Sequence, residues 1–175
     1  VPQHPRASLF QAVAGGQDRL GTAPVIGYVG RLLPGKGVTK LIEAMRVVWR
    51  VNNQVRLLLA GPRTLPGSQA DRDVTDALGQ LSTAERTRVV EMGGFEADDL
   101  IATYARQAAA AGATVKIVSS DKDLMQLIVD GVIQLYDPMK NRALGPEAVM
   151  EKFGVAPDKV IDAQALIGDS TDNVP

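Results

Sequence analysis

Seven carboxylates fall into three short clusters in the second half of this 175-residue chain. Glu96, Asp98 and Asp99 open an amphipathic stretch, Asp121 and Asp123 follow the apolar run KIVSS, and Asp169 and Asp172 sit in GDSTDN. Carboxylates at strand ends and helix starts can converge on one point, where hard divalent cations make their mutual repulsion tolerable. Two such cations about 4 Å apart suit in-line hydrolysis of a phosphodiester. Each cluster also has a plain structural use. Acids in a first turn favour a helix N-terminus, Asp121 suits the cap of DLMQLI, and Asp169 and Asp172 suit a turn. Taken as residues alone, the metal and structural readings balance.

A second candidate is cationic. In GYVGRLLPGKG, Arg31 and Lys36 flank a glycine-containing turn that opens a helix. Backbone N–H groups and the helix dipole favour a phosphate there, and two cations add to it. The spacing is neither a Walker A loop nor GxGxxG, and a solvated Arg and Lys beside a turn is the competing reading.

The elements that must position these residues follow a repeating rhythm. Apolar, β-branched runs predict strands at 25–30, 55–60, 88–92, 114–118 and 132–136. Between them, GVTKLIEAMRVVWRV places Val38, Leu41, Ile42, Met45, Val48 and Trp49 on one helical face. Further helices are predicted over about 71–81 and within FEADDLIATYARQAAAAG, DKDLMQLIVDG, ALGPEAVMEKFG and DKVIDAQALIG. Trp49 reads as core, and Met125, Met139 and Met150 as fillers of core gaps. Continuous apolar strands alternating with amphipathic helices predict an α/β fold, Rossmann-like, with three α/β/α layers around a mainly parallel sheet of about five strands. In such sheets ligands sit beyond the carboxyl ends of the strands, where both candidate sites fall.

Composition narrows the classes. With no cysteine there is no disulfide or zinc-thiolate site. Aromatics at 4% speak against a base-stacking platform. No apolar run approaches the roughly 20 residues of a membrane span, and VPQHPRASLF lacks a signal-peptide core, so no membrane partner and a cytoplasmic location are expected. The net charge of −1 conceals +5 over residues 1–92 and −6 over residues 93–175.

Two resemblances give these patterns content. PVIGYVGRLLPGKGVTKLIEAM, followed by VRLLLAGP, resembles the C-terminal Rossmann domain of retaining two-domain glycosyltransferases, over about residues 20–94. That resemblance implies that Arg31 and Lys36 bind the diphosphate of a nucleotide sugar. GFEADDLIATYARQAAAAGATVKIVSSDKDLMQL, then YDPMKN and QALIGDSTDNVP, resembles the 5'-3' exonuclease (flap endonuclease) domain of bacterial DNA polymerase I, over about residues 94–175. This second resemblance implies metal ligands at Glu96, Asp98, Asp99, Asp121, Asp123, Asp169 and Asp172, with Lys122 and Lys140 nearby in sequence.

Neither half carries its family's full site. The nuclease family's first-strand aspartate and basic arch have no counterpart ahead of Gly94, and the acceptor domain of the transferases is absent. The expectation is a single α/β domain over 1–175, built from a half at 1–94 and a half at 95–175. It is read as an artificial or recombined scaffold with no evolved activity, no required cofactor and no firm partner. The alternatives are a Mg²⁺- or Mn²⁺-dependent 5'-nuclease or weak DNA binder working through the acids, and a nucleotide-sugar binder working through Arg31 and Lys36. Exposed strand edges suggest a homodimer.

Overall fold

Leu57, Leu58 and Leu59 are consecutive residues of one strand and all three are buried. Successive side chains of a strand point to opposite faces, so both faces of this strand are covered, as its unbroken apolar run requires. The computed structural model describes residues 23–93 and 97–168, in two compact units, Val1–Ala97 and Asp98–Pro175.

In the first unit the order is β1 (Val25–Val29), α1 (Val38–Val51), β2 (Arg56–Ala60), α2 (Gln69–Gly79), α3 (Thr83–Arg86) and β3 (Val89–Met92). The three strands form a parallel sheet in the order β1-β2-β3, with Gly27, Leu58 and Val90 in register. From α1, Val38, Ile42, Met45 and Trp49 are buried in the core, with Leu41 and Val48 half-buried against it, as their spacing predicts. The Trp49 indole N–H donates to the Val55 carbonyl at 2.8 Å, which ties the end of α1 to the start of β2 and satisfies the one polar atom of a buried ring. Ser68 caps α2 by accepting from the Asp71 N–H, and Ser82 with Glu85 makes a reciprocal capping box on α3. Glu85's carboxyl is held below its ordinary range, first by the Ser82 backbone N–H and then by the Ser82 hydroxyl.

The second unit contains α4 (Ala97–Ala110), β4 (Val115–Val118), a 3-10 turn (Asp123–Leu127), β5 (Ile133–Asp137), β6 (Arg142–Leu144), α5 (Pro146–Phe153), a 3-10 turn (Pro157–Lys159) and α6 (Val160–Ile167). Its sheet runs β4-β5-β6, parallel between β4 and β5 and antiparallel between β5 and β6. Its core gathers Ala105, Ile117, Leu124, Met125, Leu127, Ile128, Ile133, Leu135, Leu144, Val149 and Val160.

The fold is therefore mixed α/β, with two corrections. The five predicted strands form within a residue or two of their predicted ends, but a sixth, β6, is added, and the strands divide into two three-stranded sheets. Three residues are too few to display an alternation, so RAL gives no strand signal in sequence. The helix after it starts at Pro146, as expected, because the fixed φ of proline suits a first turn. The segment predicted as a helix after β4 is a short 3-10 turn instead. The Met125 N–H reaches the Lys122 carbonyl and the Ile128 N–H the Met125 carbonyl, after which Val129 bridges back to Ile133. Of the three methionines expected in the core, Met125 is buried while Met139 and Met150 are exposed.

Just past the strand ends of the first sheet, the Gly30 N–H donates to the Ala60 carbonyl and the Gly61 N–H to the Met92 carbonyl. Gly61 has φ +139°, and a Cβ there would overlap the Gly30 carbonyl oxygen. Gly61→Ala combines an unfavourable backbone region with a backbone clash, so it is expected to destabilise the protein by more than about 1 kcal/mol. Urea unfolding followed by Trp49 fluorescence measures this, and an unchanged midpoint would contradict the close approach of the two strand ends.

Candidate functional site

The loop after β4 is folded by its own side chains. The sheet ladder ends where the Ser119 N–H donates to the Tyr136 carbonyl at 3.0 Å. The Ser119 hydroxyl oxygen then accepts from the Asp121 N–H, and Asp121 Oδ1 accepts from the Asp123 N–H, each at 3.0 Å. These are the side-chain turns that Ser and Asp form with backbone two residues on. Asp121 thus stabilises the turn ahead of the 3-10 segment, whose N-cap residue is Lys122, and does not hold the cap position expected of it. Asp123 is fixed at two further points. Its carbonyl accepts from the Gln126 amide at 2.9 Å, and its Oδ1 accepts from the Gln164 amide at 2.6 Å.

A third carboxylate is tied to the same loop, and sequence reasoning did not find it. Asp137 ends β5, is 5% exposed, and accepts from the Ser120 hydroxyl at 3.2 Å and from the Met139 and Lys140 N–H groups at 2.9 and 3.2 Å. Lys140 Nζ stands 3.9 Å away, so this lysine is engaged with the hairpin turn. Burial alone would push the Asp137 carboxyl up. The N–H groups of Lys140 and Met139, the Ser120 hydroxyl and the Lys140 charge outweigh it and hold the carboxyl below its ordinary value. An Asp-Pro pair at a strand end is visible as a turn signal, but its tie to Ser120, 17 residues away, is not.

Asp98 and Asp99 lie in the first turn of α4, where acids complement the helix dipole. Glu96, Asp169 and Asp172 lie outside the described residues. Among the described residues, no three His, Cys, Asp or Glu side chains gather so as to hold a metal ion. The single acidic pocket expected from Glu96, Asp98, Asp99, Asp121 and Asp123 is therefore not assembled by the described residues alone. The donor chemistry nevertheless suits a hard divalent cation. Asp121 and Asp123 each accept a hydrogen bond on Oδ1, and neither Oδ2 takes one from another described residue.

Arg31 and Lys36 are exposed at the 3-10 turn Pro34–Lys36, and neither side chain forms a hydrogen bond or ion pair with another described residue. Gly37, in the left-handed region at φ 84°, ends that turn and leads into α1. Elsewhere in the first unit, an open groove of about 540 Å³ is lined by Glu91, which pairs with both Arg63 and Arg86. Arg63 also meets Asp71 at 3.2 Å and the Thr75 hydroxyl at 2.8 Å. These charges offset one another, and no sequence spacing announces the network.

Comparison with known proteins decides between the two resemblances. Residues 72–154 match the 5'-3' exonuclease, N-terminal resolvase-like domain. DNA polymerase I of Rhizobium leguminosarum is 63% identical over 86 residues, which is 49% of this chain and 8% of that protein. A 5'-3' exonuclease of Aquifex aeolicus is 46% identical over 87 residues, half of this chain and 30% of that protein. The chain thus spans under a third of either relative. The solved structure of a mutant T5 5'-exonuclease superposes with a TM-score of 0.55 at 18% identity, over 86% of this chain and 65% of that one, which is a likeness of fold.

These findings overturn the reading of an artificial scaffold without activity. Across 86 residues the chain is 63% identical to a natural DNA polymerase I, and the family match begins at residue 72, well ahead of the junction expected at Gly94. They lend no support to the glycosyltransferase resemblance, to a chimera, to a nucleotide-sugar partner, to a homodimer or to the expectation that no cofactor is required. A parallel strand, a crossover helix and a glycine-bearing turn recur wherever parallel sheets are built, so the rhythm of residues 20–94 is a poor guide to family. No helix among the described residues is long and apolar enough to cross a membrane.

Because the Asp137 carboxyl is held low, it favours the folded state above the ordinary aspartate value of about 3.9, and that contribution is lost as pH falls through its lowered folded value. Asp137→Asn is expected to lower Tm at pH 7, with the difference from wild type narrowing as the pH falls below the ordinary aspartate value. Thermal melts by circular dichroism at pH 7 and below that value test this, and a difference independent of pH would contradict the assignment.

Proposed function

We propose that this chain is part of a divalent-metal-dependent 5'-3' exonuclease acting on DNA. Glu96, Asp98, Asp99, Asp121, Asp123, Asp169 and Asp172 are its metal-holding carboxylates. The observation that carries this reading is the family match over residues 72–154, a stretch that contains the first five of those acids. The arrangement after β4 supports it, since Asp121 and Asp123 stand just beyond the carboxyl end of a parallel strand. The reaction is hydrolysis of a phosphodiester bond. Mg²⁺ or Mn²⁺ held there would lower the pKa of the attacking water and neutralise charge on the leaving oxygen.

The protein's own contribution is to supply hard oxygen donors at fixed positions. The Asp121 and Asp123 carboxylates are held by the backbone and amide hydrogen bonds described above, so little rotamer freedom is lost on binding a cation. The −6 charge of residues 93–175 opposes DNA phosphates until cations neutralise it. DNA association by this half is therefore coupled to metal loading.

A 5'-end-labelled flap duplex incubated with the full chain is expected to be cleaved with Mn²⁺ or Mg²⁺. Cleavage should stop with EDTA and fall at least about 10–100-fold in Asp123→Asn. Metal-independent cleavage, or equal cleavage by Asp123→Asn, would overturn the assignment.

We further propose that residues 1–175 unfold as one α/β domain, with the halves at 1–94 and 95–175. Trp49 is the only tryptophan and reports on the first half, whereas far-ultraviolet circular dichroism reports on every helix. Coincident thermal transitions by the two probes are expected, and separated midpoints would refute a single domain.

A further inference from the structure

We propose that Gln164 is a positioning residue for Asp123, holding one carboxylate oxygen so that the other is presented to a divalent cation. The inference rests on the reading of Asp123 as a metal ligand. Gln164 lies on α6, 41 residues after Asp123, and its Nε2 donates to Asp123 Oδ1 at 2.6 Å in a half-buried contact. The helix that carries it is seated by Val160, 0% exposed, and by the adjacent Ala163, also buried. Core packing therefore sets where the amide stands.

The rest of Asp123 is restrained from other directions. Its N–H is held by Asp121 Oδ1 and its carbonyl by the Gln126 amide. With Oδ1 taken by Gln164, Oδ2 is the carboxylate oxygen without a partner among the described residues. Asp123 is half-buried at the start of a turn whose Leu124, Met125 and Leu127 are buried, so its side chain stands at the edge of the core. An amide donor fixes its rotamer without adding charge. That is the function of hydrogen-bonded groups standing behind metal ligands, whose loss weakens metal affinity about 10–100-fold. Gln164 is also the only uncharged polar side chain in VIDAQALI.

The test is a titration of the full chain with Mn²⁺ alone, following free Mn²⁺ by electron paramagnetic resonance, beside melting temperatures of the metal-free proteins. Gln164→Met keeps side-chain length and removes the donor. Its Kd for Mn²⁺ is expected to rise about 10–100-fold while the metal-free Tm stays near wild type. Gln164→Ala is expected to show the same rise and replaces the first variant should that one fail to fold. Asp123→Asn should weaken Mn²⁺ binding at least as much. If Asp123→Asn loses Mn²⁺ but both Gln164 variants bind as wild type does, the amide is only structural and the inference falls while the metal reading stands. A drop in metal-free Tm with no change in Kd overturns the inference in the same way. If wild type binds no Mn²⁺, or Asp123→Asn binds it unchanged, the metal reading fails and the inference fails with it.

Discussion

Two parallel strands that neighbour each other cannot be joined by a tight hairpin, so the chain must cross over between them through a dozen or more residues. β1, β2 and β3 obey this in one unit and β4 and β5 in the other. The consequence is directional. Within each parallel set the carboxyl ends of the strands lie along one edge of the sheet, and the segments leaving that edge carry the unusual residues. Arg31 leaves β1 in this way, and Asp121 and Asp123 leave β4. Arg31 in the first unit and Asp121 and Asp123 in the second are placed by that pairing.

Burial makes the pairing enforceable. The central strand β2 is covered on both faces, through Leu57 and Leu59 on one and Leu58 on the other. A one-residue slip in its register would leave the run apolar, so apolar character alone does not set the pairing. The glycines at the strand ends help to do so, because Gly61 fits against the Gly30 carbonyl where no side chain could. In the second unit the antiparallel β6 adds a different lock. The Asp137 carboxylate gathers the Met139 and Lys140 N–H groups into a tight turn while the Ser120 hydroxyl ties that turn to the loop after β4. The hairpin and the acidic loop are thereby one hydrogen-bonded assembly.

That assembly changes how the acids are understood. Asp121 is at once the acceptor that shapes its own turn and a proposed cation ligand, so the structural and functional readings are compatible uses of its two oxygens. Asp123 is similar, with one oxygen committed to Gln164. Asp137 is the opposite case. It is buried, its Oδ1 accepts from backbone and hydroxyl donors and its Oδ2 faces the Lys140 ammonium at 3.9 Å, which makes it a structural carboxylate despite lying in the most recognisable part of the chain.

Elements whose cause is local are legible in the order of residues. Apolar runs bounded by glycine mark five strands, and the 3.6-residue spacing of Val38, Ile42, Met45 and Trp49 marks the buried face of α1. The EADD, SDKD and GDSTDN motifs carry the nuclease resemblance for the same reason, since a motif is nothing more than residue order. The same local signals mislead over residues 20–94, where strand, turn and helix follow one another as in any parallel α/β protein. The division into two sheets, the short strand β6 and the 3-10 turn after β4 arise only in the folded chain. β6, for one, needs β5 beside it, with Leu135 opposite Leu144. Folding alone brings Ser120 to Asp137 and Gln164 to Asp123, because a hydrogen bond across 17 or 41 residues exists only once the core between them has packed and left no other place for those side chains.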